Sequence, residues 1–250
     1  MKKIFTIIID TILLCVAIFC IFNVYNKVVE YKKADNVYET ISESVNDNTN
    51  KTDTTNKVED NKPNSVLSKY NKLIADNEDY RCWLKMDNTK IDYPVVQSND
   101  NSYYLDRDFN KNHLAAGSIF MDFRNNFDSD KSVVIYGHNM RNGTMFGELD
   151  NFKKESFFKE NNKFKIEYKD KTYTYEVFSV YIGDASENFV EVSFDSDEDY
   201  IDYLNRIKSK SLFKSDIEVS NNDKIVTLYT CSYEFDGART VVNGKLISVE

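Results

Sequence analysis

The chain has 250 residues, 41% of them apolar and 14% aromatic, with 7 Gly and 2 Pro, so it can bury a real core and is no low-complexity polymer. A formal net charge of −9 argues against a nucleic-acid binder, which needs a basic face. The acidity suits a cationic partner, but it is common in soluble domains and selects none.

Lys2 and Lys3 precede a mostly apolar stretch, Ile4 to Val29, interrupted by Asp10, Asn23 and Asn26. Its centre, Thr11 to Phe22, is nearly continuous hydrocarbon. About 20 apolar residues cross a bilayer, so residues 1–30 read as a transmembrane segment. No small-x-small site follows the apolar centre, which favours an uncleaved signal anchor over a cleaved signal peptide. Lys2 and Lys3 on one flank face Lys27, Lys32 and Lys33 on the other, so the charge count does not orient the segment. Its signal-like position favours a body outside the cell, anchored by a single pass.

Tyr31 to about Ile41 can continue as a juxtamembrane helix. From Ser42 to Ser65 the chain is Asn, Asp, Thr, Lys and Ser with few apolar residues, too polar to repay the entropy of ordering. Residues 31–65 therefore read as a juxtamembrane segment and linker, and 66–250 as the folded domain. Val66, Leu67, Tyr70, Leu73 and Ile74 recur at helical spacing and predict an amphipathic helix. Short β-type runs follow: Ile91–Gln97, Gly117–Met121, Ser132–Gly137, Phe164–Tyr168, Thr172–Ile182, Phe189–Ser193, Lys224–Thr230 and Thr240–Val249. Many short strands with polar breaks predict a mainly β fold, a closed barrel or a sandwich. Helical patches interrupt them around Phe146 to Phe158 and over Asp197 to Lys210, where three acidic residues suit the positive end of the helix dipole.

Two of these runs carry chemistry at their ends. Ser132-Val133-Val134-Ile135-Tyr136-Gly137 delivers His138, and Ile225-Val226-Thr227-Leu228-Tyr229-Thr230 delivers Cys231. Arg239 opens the run that follows the cysteine. A thiol is a strong nucleophile only as thiolate, which a nearby cation stabilises. A histidine can protonate an amine that leaves a cleaved peptide, and an arginine can hold a developing oxyanion. Taken singly, each residue also has a plain reading: a buried cysteine, a turn histidine, a surface arginine. His113 is the rival histidine, in the polar stretch Asn110-Lys111-Asn112, and Arg141 and Arg206 are the rival arginines. Asp122 and Asp236 are candidates to support the site from behind. Cys15 and Cys20 lie in the apolar segment, Cys82 beside Trp83 reads as core, and a Cys82–Cys231 disulfide is the minor alternative.

Leu228-Tyr229-Thr230-Cys231 resembles the TLxTC signature of sortases, the cysteine transpeptidases of Gram-positive cell surfaces. Tyr136-Gly137-His138-Asn139 resembles their histidine motif, and Ala238-Arg239-Thr240-Val241-Val242 their arginine strand. Trp83-Leu84, Thr89 to Gln97, Asn101-Ser102-Tyr103-Tyr104-Leu105 and Gly117 to Asp122 are similar to class B in particular, and the matches run in order from about Val66 to the C-terminus. The resemblance implies a closed sortase-type β-barrel of about eight strands, with an N-terminal helix and a helix inserted between late strands. It implies that Cys231 attacks the carbonyl of a Thr in a C-terminal sorting signal and that His138 protonates the departing amine. Arg239 would hold the oxyanion, and an amino group of a cell-wall peptide would then resolve the thioester. The implied partners are a surface protein bearing that signal, the peptidoglycan amine and the membrane. No metal, organic cofactor or nucleic acid is implied. A secreted Cys/His peptidase or cell-wall hydrolase is the other enzymatic reading, disfavoured because both histidines precede Cys231. A non-enzymatic surface-binding domain is the third.

Overall fold

Lys163-Phe164-Lys165-Ile166-Glu167-Tyr168 shows how this chain makes its sheet: Phe164, Ile166 and Tyr168 are buried and the residues between them turn toward solvent. Eight strands make up the sheet of the computed structural model, which describes residues 2–46, 65–187 and 190–250. They are β1 (Tyr80–Lys85), β2 (Asp92–Val96), β3 (Ile119–Met121), β4 (Ser132–Tyr136), β5 (Lys163–Tyr168), β6 (Lys171–Asp184), β7 (Ile225–Cys231) and β8 (Ala238–Val249). The sheet closes on itself in the order β1-β2-β3-β4-β7-β8-β6-β5, with β1 pairing antiparallel to β5 at the seam. Closure leaves no open edge and encloses the core. Two neighbouring pairs are parallel, β2 with β3 and β4 with β7.

Among the described residues four α-helices accompany the barrel. α1 (Lys2–Asn46) is continuous, and its apolar N-terminal part is long enough to cross a membrane, with its described side chains exposed. Inside that part Thr11 and Asn23 return their polar groups to the helix, at the carbonyls of Ile7 and Phe19. The C-terminal part of α1 lies against the barrel, burying Ala34, Tyr38, Ile41 and Val45. The Tyr38 hydroxyl donates to the Gly117 carbonyl at 2.6 Å, and its ring meets Tyr93 edge-on. α2 (Ser65–Asp76) buries Leu73 and sets Tyr70 against Tyr80 and Tyr168. The patch around Phe146 to Phe158 divides into a 3-10 turn (Gly147–Lys153) and a short α3 (Glu155–Glu160). α4 (Asp197–Ser209), capped by the Ser196 side chain, lies between β6 and β7 in sequence. It covers the outer face of the barrel with Tyr200, Tyr203, Leu204 and Ile207 against Phe178, Ile225 and Val241.

The strand expected over Phe189–Ser193 does not form: Val190 to Ser193 has no ladder, and Phe189 lies outside the described residues. Val190 is spent against the α4 cluster, and the Glu191 carbonyl accepts from Ser132 Oγ. Most of the polar linker, 47–64, also lies outside the described residues, while its first residues extend α1 to Asn46.

Candidate active site

On β7 the side chains divide between two faces. Val226 and Leu228 belong to the barrel core, while Ile225 and Tyr229 lie on the outer side with the α4 cluster. Alternation puts Cys231 on that outer side, at the strand end, where it is exposed. Arg239 is its directly opposed partner on antiparallel β8. Opposed residues share a face with Cβ atoms about 5 Å apart, so register alone puts the Cys231 and Arg239 side chains on one face. Its Nη1 donates to the Ala238 carbonyl at 2.9 Å, and both Cys231 and Arg239 keep access to solvent.

His138 reaches the same row from the other side. β4 runs parallel to β7 with Tyr136 level with Tyr229, their rings 5.2 Å apart. The pairing continues beyond the strands: Gly137 N donates to the Tyr229 carbonyl at 3.2 Å, and Thr230 Oγ1 donates to the Gly137 carbonyl at 2.7 Å. Two residues past Tyr136 and Tyr229, His138 stands at the level of Cys231. The ends of β4, β7 and β8 thus bring His138, Cys231 and Arg239 to one rim of the barrel, His138 two residues beyond β4.

Several neighbours hold this row. His138 Nε2 lies 2.7 Å from the Leu105 carbonyl. A carbonyl can only accept, so Nε2 carries the hydrogen and Nδ1 is left to exchange a proton. The Leu105 carbonyl is itself pressed by Gly117, whose φ is +58° and where a Cβ would come within 2.5 Å of that oxygen. Only glycine fits there without displacing the acceptor. Next to the histidine, the Asn139 amide donates to the Cys231 carbonyl at 2.9 Å and to Asp150 at 2.8 Å. Asp150 in turn accepts from Thr240 and pairs with Lys153. Burial works against the Lys153 charge, yet Asp150 and Glu234 outweigh it and raise its pKa. Tyr229, beside the cysteine, has its hydroxyl pKa raised by burial, partly countered by the Arg239 charge.

The rival residues lie elsewhere. His113 is largely exposed on a loop, 3.7 Å from Asp106. Arg206 sits on α4 paired with Glu191, and Arg141 is exposed near the Tyr233 ring. Asp236 is exposed on the β7–β8 connection. Asp122 is fully buried and reaches the site only through Tyr136, whose hydroxyl donates to it at 2.8 Å. All four cysteines are free, and Cys82 is buried with its thiol pKa pushed well up by burial. Among the described residues no group of three or more His, Cys, Asp and Glu is placed to hold a metal.

Residues 84–247 match the family model described as the Sortase domain. A sortase B of Listeria monocytogenes is 39% identical over 175 residues, covering 69% of this chain and 71% of that protein. One of Staphylococcus aureus is 36% identical over 187 residues, covering 74% and 77%. Among solved structures, Clostridium perfringens sortase B is similar with a TM-score of 0.70 at 46% identity, over 71% of this chain and 99% of that one. The Staphylococcus aureus sortase B-substrate complex is similar with a TM-score of 0.77 at 31% identity, over 88% and 99%.

Proposed function

The chain belongs to the sortase family, class B, and is a cysteine transpeptidase; from that premise we propose that Cys231 is its nucleophile, His138 its acid and base, and Arg239 its oxyanion holder. The observation that supports this reading is the single row of the three residues across β4, β7 and β8. The substrate is the C-terminal sorting signal of a surface protein, cleaved after Thr. Cys231 Sγ, as thiolate, attacks the Thr carbonyl carbon, and Arg239 takes up the charge gathering on the oxygen. Collapse breaks the peptide bond; the amine of the released tail departs with the proton held on His138 Nδ1, leaving a thioacyl-enzyme. An amino group of a cell-wall peptide then attacks the thioester. His138 Nδ1 takes its proton, and Cys231 leaves as thiolate. Through both steps the Leu105 carbonyl holds Nε2–H, which keeps the ring aimed in one direction.

α1 supplies the anchor in this reading, and the protein works at the cell membrane with its domain outside. The test is a small panel of sorting peptides offered with triglycine. The expected result is a mass-shifted thioacyl adduct on Cys231 and a triglycine-linked product, both lost in Cys231→Ala, whose circular dichroism stays that of the parent. Acid product alone, unaffected by triglycine, would instead mark a hydrolase. Turnover retained in Cys231→Ala would remove the nucleophile. Slow alkylation of Cys231 by iodoacetamide with no turnover would favour a non-enzymatic binding domain.

A further inference from the structure

α1 is a ruler laid along the domain. Its residues meet the barrel in order: Lys27, Glu30 and Tyr31 form one wall of a cleft whose other wall holds His138, Arg141 and Tyr233. Further on, Lys33 donates to the His113 carbonyl and Tyr38 to Gly117. At the far end Lys72 of α2 donates to the Ser44 carbonyl. At 1.5 Å per residue, Lys27 to Ser44 spans about 26 Å, so the catalytic rim lies at the anchor end of the domain and α2 at the opposite end.

The span sets the height of that rim. About 20 residues cross the hydrocarbon, which takes a span starting at Ile4 to Asn23. Lys27 stands four residues, about 6 Å, beyond that point, and Tyr31 about 12 Å beyond it, a distance filled by lipid headgroups. The rim at this level is built for such a layer. Tyr233 is 64% exposed and Phe235 47%, both on the β7–β8 connection that joins Cys231 to Arg239. Tyr25 is exposed on the facing helix. Lys27, Lys32 and Arg141 are exposed cations near this level, with Glu30 of the cleft wall and Asp236 of the connection as exposed acids beside them. Glu234, between the two exposed aromatics, is tied to Lys153. Aromatic rings and cations at headgroup depth are the side chains that membrane interfaces select.

We propose that the β7–β8 connection, through Tyr233 and Phe235, is a second membrane contact, which rests the catalytic rim on the lipid headgroups beside α1. It rests on the reading of α1 as a membrane anchor, and goes beyond it: the domain lies against the surface, site first, and does not swing on its tether. Substrates enter the cleft from within or along the headgroup layer.

The test uses the full chain in vesicles of mixed phosphatidylcholine and phosphatidylglycerol. Trp83, the only tryptophan, is buried on β1 and serves as the internal reference. Tyr233→Trp and Phe235→Trp are compared with the parent for quenching by lipids carrying a nitroxide on the headgroup. Added emission quenched strongly in both variants is the expected result. Seven helix-forming residues inserted between Tyr25 and Asn26 keep the helix face but raise the domain about 10 Å, and should abolish that quenching. A chain that floats with the vesicles yet shows no added quenching overturns the second contact and leaves the anchor standing. Quenching unchanged by the insertion overturns it too, since α1 would then not set the height. A chain that fails to float with the vesicles overturns the anchor itself, and the second contact with it.

Discussion

Arg239 is the residue whose chemistry depends most on shape. One of its nitrogens is already committed to the Ala238 carbonyl, which fixes the plane of the guanidinium beside Cys231. A lysine there keeps the charge but has no planar fork to divide between that carbonyl and a substrate oxygen. Arg239→Lys is expected to lower kcat/KM on a sorting peptide by roughly tenfold or more, mostly through kcat. A near-normal rate would remove Arg239 from the proposed site. Cys231, His138 and Arg239 stand out in the sequence because each lies at an end of a β-type run inside a recognisable motif; the register that opposes Cys231 to Arg239 is visible only in the fold. The Leu105 carbonyl and the Asn139 clamp do not stand out. Leu105 and Asn139 stand inside recognisable motifs, yet a backbone acceptor delivered by a short 3-10 turn has no side-chain signature.

At the level of elements, the turn after β3 is tied to β4 by one carboxylate. Asp122 accepts from Arg124, Asn101 and Tyr136 while its backbone N–H donates to the Val134 carbonyl. Burial alone would raise its pKa; the Arg124 guanidinium and the hydrogen bonds outweigh burial and hold it at about 2. A carboxyl depressed in the folded state stabilises the fold above its unfolded pKa, about 4, and loses that contribution as pH falls through the folded value. The shift corresponds to about 2 kcal/mol. Asp122→Asn is therefore expected to be less stable by about that amount in urea at neutral pH, with the gap closing between pH 5 and pH 2. A gap independent of pH would mean that shape, not charge, holds the turn. The strands with clean alternation, such as β5, are readable from the residues. β1 is not, because Cys82, Trp83 and Leu84 are buried in succession and the period vanishes. Val190 to Ser193 fails in the other direction: a β-type composition is recruited as packing for α4.

For the whole molecule, the runs leave barrel or sandwich open, the family resemblance implies the closed barrel and the late inserted helix, and neither gives the seat of α1. The juxtamembrane sequence reads only as a helix, and which face it turns to the barrel depends on residues more than 50 positions away. Tyr38 is the pin of that seat, buried with its hydroxyl on the Gly117 carbonyl and Ser118. Tyr38→Phe keeps the ring and strips the hydroxyl, and is expected to cost about 1 kcal/mol in thermal unfolding. Its second effect reaches the site, since Gly117 also presses the Leu105 carbonyl that holds His138. A lower kcat in Tyr38→Phe with an unchanged KM checks that link; an unchanged kcat would confine the Tyr38 hydroxyl to support of the fold.

The pairing of Cys231 with Arg239 has a consequence for descent. The ladder from Ile225↔Lys245 to Cys231↔Arg239 sets the two side chains opposite each other, and residues 232–237 return the chain between them. Exchanges at an exposed position of that return, such as Asp236, leave the register where it is and change the surface beside it. Selection on that surface is thereby partly uncoupled from selection on the register. Copies of the chain can diverge there while the pairing of Cys231 with Arg239 stays in place.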